Sequence, residues 1–325
     1  MRKSIFKIKE KMSNSLVTIC IATYNRSSLI PRAIKSVQSQ AYRNIEIIVI
    51  DDGSIDNTKE VVTGFMDEDS RIRYFKHSKN KGLASARNTA IEKARGTFFT
   101  FIDDDDVWEE TFIGDLIDLA LDYNENWCFC CGHKSGNNCS IPYFEGSLKK
   151  YILEGYTPPV AAQFYYTKTL KEIGGYTSRI KSGVDHDLWL KLAVNGYSIK
   201  SLEKCLAIPN QNTNEERMTT NPEKRIKGIQ KSLEIWEKLI VNNFGKDFFL
   251  HFKKNYYFHI YRKFLISALQ NKNVKSSLIY FIRCPMKNRL LSCLLKGFFK
   301  NRFSKDDNKK INVISPSFSS FIDKN

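Results

Sequence analysis

The stretch TFFTFIDDDDVWEE, residues 97–110, decides how this chain is read. Thr97 to Ile102 is an apolar run the length of one buried strand, and it delivers the chain directly into four consecutive aspartates, Asp103 to Asp106. A strand buried on both faces belongs in a parallel sheet covered by helices, and open sheets of that kind bind ligands beyond the carboxyl ends of their strands. Four neighbouring carboxylates in a closed cleft raise one another's pKa. A divalent cation relieves the repulsion, and Mg²⁺ or Mn²⁺ suits one or two carboxylates together with phosphate oxygens and water. The other use of this pattern is an acidic turn capping a helix that begins near Glu109.

Working outward toward the N-terminus, the same design recurs twice. Leu16 to Ala22 is an apolar strand ending in Thr23, Tyr24, Asn25 and Arg26, and a helical face follows at Leu29, Ile30, Ala33, Ile34 and Val37. Ile45 to Ile50 is a β-branched strand that runs into Asp51 and Asp52, where Gly53 and Ser54 turn the chain. A helix near Asn57 to Met66, a strand at Arg71 to Phe75 and a helix over Leu83 to Arg95, closed by Gly96 as C-cap, complete the alternation. This order predicts βαβ units, a mainly parallel sheet, and three polar clusters converging at one rim. Asp52 is suited to accept from a nucleobase N–H, and the Tyr24 ring to wall the base. Asn80, Gly82, Ala84, Arg87 and Asn88 form a glycine-opened helix start that would aim backbone N–H groups and Arg87 at phosphate; a surface helix carrying one Arg is the plainer reading.

Toward the C-terminus the spacing predicts a helix from about Glu109 to Tyr123, a strand near 127–132, a polar loop over 134–147, and an amphipathic helix from Asp185 to Asn195 stopped by Gly196. The polar segment QNTNEERMTTNPEK, 211–224, reads as a boundary, and 226–303 is rich in apolar residues at helical spacing.

The net charge of +16 is concentrated there, because residues 223–310 hold 21 Lys and Arg against 6 Asp and Glu. Phe248, Phe249, Phe252, Tyr256, Tyr257, Phe258, Tyr261, Phe264, Phe281, Phe298 and Phe299 are interleaved with those cations, which fits the core of a helical subdomain, a basic face that meets anionic lipid, or both on different faces. No RRM, KH or zinc-finger pattern accompanies the charge, so nucleic acid is not expected as a partner. No G-x-G-x-x-G follows the first strand, which excludes a dinucleotide oxidoreductase. MRKSIFKIKEK lacks the apolar run of a secretory leader, and no window approaches the roughly 18 apolar residues of a membrane span, so the expected location is the cytoplasm, at the inner face of the membrane. In that compartment the eight cysteines are expected as free thiols. The Cys128 and Cys131 pair lies on an apparent buried strand without the second pair a zinc site needs.

Six segments, TICIATYNR (18–26), IIVIDDGSIDNT (47–58), NKGLASARNTAI (80–91), FIDDDDVW (101–108), IGGY (173–176) and SGVDHDLWLKLA (182–193), together resemble the family 2 glycosyltransferases of the GT-A fold. The resemblance implies a Rossmann-like, mostly parallel α/β sheet flanked by helices, here with a basic helical C-terminal extension. It implies a nucleotide site drawn from Thr23, Tyr24, Asn25, Arg26, Asp51, Asp52, Asn80, Gly82, Arg87, Asp103 and Asp104, with Thr23 and Asp52 on the nucleoside. Asp103 and Asp104 would then lie near the ribose and an Mn²⁺ or Mg²⁺ ion, Asp105 would be the direct metal ligand with Asp103 beside it, and Asp185 would be the general base. The family commonly has Glu-Asp before its Asp-Leu-Trp helix; here Val184 replaces the Glu, so the base position remains and an acceptor contact is lost.

On this reading, residues 1–15 are an N-terminal extension and 16–222 a catalytic domain, with a nucleotide-binding half at 16–108 and an acceptor-binding half at 109–222. Residues 223–305 are a basic helical region and 306–325 a disordered tail. The expected activity is inverting transfer from a UDP-hexose or UDP-N-acetylhexosamine to a hydroxyl of a lipid-linked saccharide, in assembly of a bacterial surface polysaccharide such as O-antigen, capsule or lipooligosaccharide. The competing readings are an inactive nucleotide-sugar-binding protein and a nucleic-acid-binding module.

Overall fold

The computed structural model describes residues 14–156, 160–210 and 222–291, and the backbone of 311–314. Strand β2 (Ile45–Asp51) is buried at all seven positions, and β1 (Val17–Thr23) and β4 (Phe98–Asp103) at nearly all. Strands so apolar need cover on both faces, and burying each Val, Ile or Phe contributes about 1.5–3 kcal/mol. Part of that cover is α1 (Ile30–Gln38), which buries Ile30, Ala33, Ile34 and Val37, spaced as one helical face. The remaining helices of this half are α2 (Thr58–Glu68) and α3 (Leu83–Lys93).

β1 pairs in parallel with β2 on one side and β4 on the other, and β3 (Ile72–Lys76) extends the sheet beyond β2. The chain therefore adds strands on one side of β1 and then crosses to the other, so a crevice opens where β1 and β4 end. The register sets Thr23 opposite Asp51 and Ala22 opposite Asp103, which brings three strand ends to one rim. Within β2 the buried Glu46 would oppose this packing. Burial works against its charge, but hydrogen bonds from the Thr18 hydroxyl (2.6 Å), the Arg95 amide (2.7 Å) and Arg73 (2.8 Å) hold its carboxyl below the ordinary range.

Gly96 is not a helix C-cap. α3 ends at Ala94 in extended conformation, and Gly96 instead lies against β1, where an added Cβ would sit 2.6 Å from the Thr18 nitrogen and 2.7 Å from the Leu16 oxygen. Its glycine identity answers a close backbone approach, which helix-end spacing does not reveal.

Beyond β4 come the two-residue β5 (Val107–Trp108) and α4 (Phe112–Ala120). The segment expected as a polar loop is largely strand. β6 (Trp127–Ser135) and β7 (Asn138–Pro142) form a hairpin with Ser135 opposite Asn138, so the loop is the two residues Gly136 and Asn137, and β8 (Glu145–Ser147) follows. Gly136 takes the positive φ that such tight hairpins demand, a signal present in SGNN and outweighed in the sequence by polarity. Helix α5 (Leu148–Leu153), β9 (Gln163–Tyr166), α6 (Thr167–Glu172), α7 (Val184–Val194) and β10 (Ser198–Ile208) complete this part. β9 joins β4 and β6 in antiparallel pairing, and β10 runs parallel to β6 and antiparallel to β5.

Cys139 of β7 and Cys205 of β10 are disulfide-bonded, which corrects the expectation of free thiols for that pair. They are 66 residues apart, and the β6–β7 hairpin and the β6–β10 pairing bring them together. Cys128, Cys130 and Cys131 are buried thiols, and burial pushes Cys130 up to about 12. Cys128 and Cys131, three apart on a strand, point to opposite faces.

β11 (Ile311–Ile314) runs parallel to β7, inside the segment expected as a disordered tail. Three of its four residues, Ile311, Val313 and Ile314, are β-branched, and the segment meets a strand with an open edge.

The chain divides into two compact units: Met1–Leu148 with Thr157–Asn214 and Lys310–Asn325, and Lys149–Tyr156 with Glu215–Lys309. The second unit contains α8 (Pro222–Phe244), α9 (Lys246–Gln270) and α10 (Val274–Arg283). Most of its aromatic residues are core: Phe249, Phe252, Tyr256, Phe258, Tyr261 and Phe264 of α9 are buried, while Phe248 and Tyr257 of α9 and Phe281 of α10 are half-buried. Trp236 meets Phe252 and Tyr256 edge-on, at 6.3 and 5.7 Å. Phe298 and Phe299 lie outside the described residues.

Candidate active site at the carboxyl rim of the sheet

The loops after β1 and β2 are stitched together before any side chain faces the crevice. Asn25, in the left-handed region at φ 52°, donates its amide to Ser54 Oγ (2.8 Å) and accepts from the Ile55 amide (2.9 Å), while the Ser27 amide donates to Asp56 (2.9 Å). Asn tolerates that conformation better than other side chains, which explains the residue type there. Tyr24 is left largely exposed beside the loop.

Asp51 and Asp52 were expected to meet a nucleotide, and the structure gives them inward duties. Asp51 is fully buried, accepting from the Ser54 amide (2.6 Å) and the Tyr74 hydroxyl, so it has no surface to offer a ligand. Asp52 accepts the amides of Lys81 (2.9 Å) and Gly82 (2.6 Å) and bonds to His77 Nδ1 (2.7 Å). The backbone N–H groups of Lys81 and Gly82, just ahead of α3, are therefore taken up by Asp52. His77 continues to Thr89 Oγ1 (2.9 Å) on α3. Sequence reading missed this histidine, whose one signal is its position directly after a parallel strand. Gly53 and Asn80 pack backbone to backbone, since an added Cβ on Gly53 would lie 2.8 Å from the Asn80 nitrogen.

Arg87 also departs from expectation. Its side chain is only 2 % exposed; Nη1 donates to Asp185 (2.8 Å) and Nη2 to Asp103 (2.9 Å), with the guanidinium over the rings of Phe101 and Tyr176. Burial opposes its charge, and the two carboxylates outweigh that, raising its pKa. Asp103 and Asp185, 43 % and 39 % exposed, are the open ends of this bridge. Tyr176 is held in turn by Asn88, which donates Nδ2 to the Tyr176 carbonyl (2.8 Å) and accepts its amide (2.7 Å). A Cβ on Gly175 would fall 2.4 Å from Asn88 Oδ1, which accounts for glycine in the IGGY segment. Asp185 stands in the first turn of α7, whose N-cap is Gly183 in the left-handed conformation, so its carboxylate serves Arg87 and not the cap.

The four-aspartate run is folded by a turn in which the Asp106 amide donates to the Asp103 carbonyl (3.1 Å). Carboxylate oxygens of Asp103, Asp105 and Asp106 consequently lie within 4.8 Å of one another. Asp104 turns to Arg26 (2.7 Å), which also stands 3.6 Å from Asp105. Burial pushes the Asp104 carboxyl up to about 6, against the pull of Arg26 and the Thr23 hydroxyl. Asp106 was not among the expected ligands; it accepts the Asn210 amide (2.9 Å) and joins the cluster because the turn brings it back beneath Asp103. Three carboxylates without His or Cys form a hard-oxygen donor set, which fits Mg²⁺ or Mn²⁺ better than a thiophilic metal. Residues 211–221, next to Asn210, lie outside the described residues.

The family model for glycosyl transferase family 2 matches residues 18–171. The chain is 39 % identical over 135 residues to GalNAc(5)-diNAcBac-PP-undecaprenol beta-1,3-glucosyltransferase of Campylobacter jejuni, covering 41 % of each chain. It spans about a third of the length of the first curated relatives it matches. Among solved structures it is similar to S. aureus TarS 1–349 in complex with UDP-GlcNAc, with TM-score 0.61, 18 % identity and coverage of 93 % of this chain and 99 % of TarS 1–349. It is also similar to the mannosyltransferase PcManGT from Pyrobaculum calidifontis in complex with GDP-Man and Mn²⁺, with TM-score 0.58, 15 % identity and coverage of 92 % and 95 %. At these identities the two structures speak for the fold. The matched segment carries β1 to β4 with the loops that end them, and the sheet is shared with TarS and PcManGT, so the chain has the GT-A fold and residues 18–171 carry a glycosyl transferase family 2 domain.

Proposed function

We propose that this protein is an inverting glycosyltransferase that moves a sugar from a UDP-hexose or UDP-N-acetylhexosamine to a hydroxyl of a lipid-linked saccharide, in assembly of a bacterial surface polysaccharide. The observation that carries the reading is the Arg87 bridge, which ties Asp185, from the second half of the domain, to Asp103, at the end of β4. Two exposed carboxylates 82 positions apart in sequence thus share one buried cation, as a site needs when it works on donor and acceptor together.

In this mechanism Tyr24 offers a ring to the base and Arg26 a positive charge at the edge of the aspartate cluster. Asp185 Oδ1 is fixed by Arg87, which leaves Oδ2 to take the proton of the acceptor hydroxyl. That oxygen attacks the anomeric carbon, the bond from this carbon to the diphosphate oxygen breaks with its electron pair leaving on the nucleoside diphosphate, and configuration inverts. A general base of this kind contributes roughly 10²- to 10⁴-fold. Asp103, Asp105 and Asp106 would hold Mn²⁺ or Mg²⁺, which supplies charge neutralisation for the diphosphate. The Mn²⁺ in PcManGT and the undecaprenol-linked acceptor in the name of the Campylobacter jejuni relative support these assignments by analogy.

The test is a panel of nucleotide sugars with Mn²⁺ or Mg²⁺ and lipid-linked saccharide acceptors, read by release of nucleoside diphosphate and by acceptor mass. Release from at least one UDP-sugar, abolished by chelation, is expected. No release from any donor at any metal concentration overturns the proposal.

A further inference from the structure

Helix α10 packs one side on the second unit and turns an aliphatic row to the outside. Its buried residue is Ser277, whereas Val274, Leu278 and Ile282 are 80 %, 58 % and 57 % exposed. Their spacing of four places them in one stripe along the helix. Tyr280 and Phe281, on the inward side, join the aromatic cluster of the second unit, so α10 is docked and the stripe is what it leaves uncovered. Single exposed apolar residues need no explanation, but a contiguous row of aliphatic side chains does.

The charge around the stripe indicates what covers it. From Phe248 to Leu291 the chain contains nine Lys and Arg and no Asp or Glu. Of these, Lys272, Lys275, Arg283 and Lys287 are exposed on or beside α10. Next to Ile282, an open recess is lined by Arg283, Lys287 and Arg289. Arg283 has Glu223 at 3.4 Å on the exposed surface, whereas Arg289 is turned inward to Asn255 at 2.8 Å and Glu154 at 3.6 Å. An apolar stripe bordered by cations suits a surface that is hydrocarbon beneath and phosphate above. A protein partner would have to supply carboxylates all round an aliphatic ridge. Among the described residues no helix is long and apolar enough to cross a membrane, so the contact is interfacial.

We propose that α10 is a membrane-docking helix: Val274, Leu278 and Ile282 enter the acyl boundary of an anionic bilayer, while Lys275, Arg283 and Lys287 take its lipid phosphates. The proposal concerns the second unit by itself, and its test does not depend on the reaction proposed above.

The experiment is co-flotation of the full chain with vesicles of phosphatidylcholine alone and of phosphatidylcholine mixed with phosphatidylglycerol. Binding to the mixed vesicles, weakened by high salt, is expected. The variant V274S/L278S/I282S changes exposed residues only and should keep its thermal unfolding midpoint, yet its partition coefficient should fall at least about 100-fold through lost apolar burial. The variant K275E/K287E should lose binding to a similar degree and become indifferent to phosphatidylglycerol. The proposal is overturned by equal binding to both vesicle types, or by triple-serine binding like the parent. It is equally overturned if the parent ignores vesicles and the triple-serine variant unfolds at lower temperature or loses a concentration-dependent dimer, since the stripe would then be covered by the chain itself or by a second copy.

Discussion

Two polar clusters, one at the carboxyl rim of the sheet and one inside the helical unit, look alike in composition and differ in balance. At the rim Asp103, Asp104, Asp105, Asp106 and Asp185 surround two guanidiniums, Arg26 and Arg87. In the helical unit the single buried carboxylate of Glu154 faces Arg289 at 3.6 Å and His251 at 3.7 Å, while its backbone carbonyl bonds to His259 Nε2 at 2.8 Å and Asn255 holds the Leu153 carbonyl at 3.0 Å. Charge is closed in the second cluster and negative in the first. A buried network that balances itself specifies packing, whereas one left with surplus charge of one sign requires something from outside to complete it.

That contrast can be broken most sharply at Asp185. Asp185→Asn should lower turnover by roughly 10²- to 10⁴-fold with donor affinity little changed, because the lost group acts on the proton in the transition state. Steady-state kinetics beside UDP titration measure both, and a variant with parental turnover would make the rim a structural cluster like the other.

Next in size is the pH response of the helical unit. Burial holds the His259 imidazole neutral and its pKa down to about 4, against the ordinary 6.5. Between these values the unfolded chain binds the extra proton, so stability falls as pH drops from 6.5 to 4 and levels off below, by about 3 kcal/mol in all. Urea unfolding across this window should show the decline, and His259→Gln should flatten it.

Arg87→Met should cost about 2–3 kcal/mol, less than a fully buried pair because Asp103 and Asp185 are partly solvated. Its chemical consequence separates it from a packing defect: the loss of stability should be partly recovered by Mn²⁺, which can take over the orphaned carboxylates.

The smallest effect has the opposite sign. Asp105→Asn should stabilise the metal-free protein by up to about 1 kcal/mol, since it relieves like-charge repulsion, and should abolish the rise in Tm that Mn²⁺ gives the parent. Thermal unfolding with and without metal reads both. Destabilisation without metal would mean the aspartate run is already balanced.

Much of this architecture was legible as periodicity. The strands ending at Thr23, Asp51 and Asp103, and the helical face of Ile30, Ala33, Ile34 and Val37, follow from apolar spacing, because burial acts residue by residue and leaves its pattern along the chain. The acidic run at 103–106 was visible for the same reason, being local. The partners of these groups were not. Asp52 and Gly82 are 30 positions apart, Arg87 and Asp185 98 apart, Cys139 and Cys205 66 apart. Gly96 and Gly175 were glycines whose reason lay in a distant neighbour, Thr18 in one case and Asn88 in the other.

The amino-acid sequence by itself determined where strands and helices form, which strand ends carry carboxylates, and where positive charge accumulates, since hydrophobic spacing and residue type are properties of single segments. Only the tertiary structure decided which carboxylates turn inward to hold loops, as Asp51 and Asp52 do, and which stay open at the rim, as Asp103 and Asp185 do. It also decided that most aromatic residues of α9 are core while Val274, Leu278 and Ile282 of α10 face out. The physical reason is common to both: the state of an ionisable or apolar side chain is set by what surrounds it in space, and those surroundings come from remote parts of the chain.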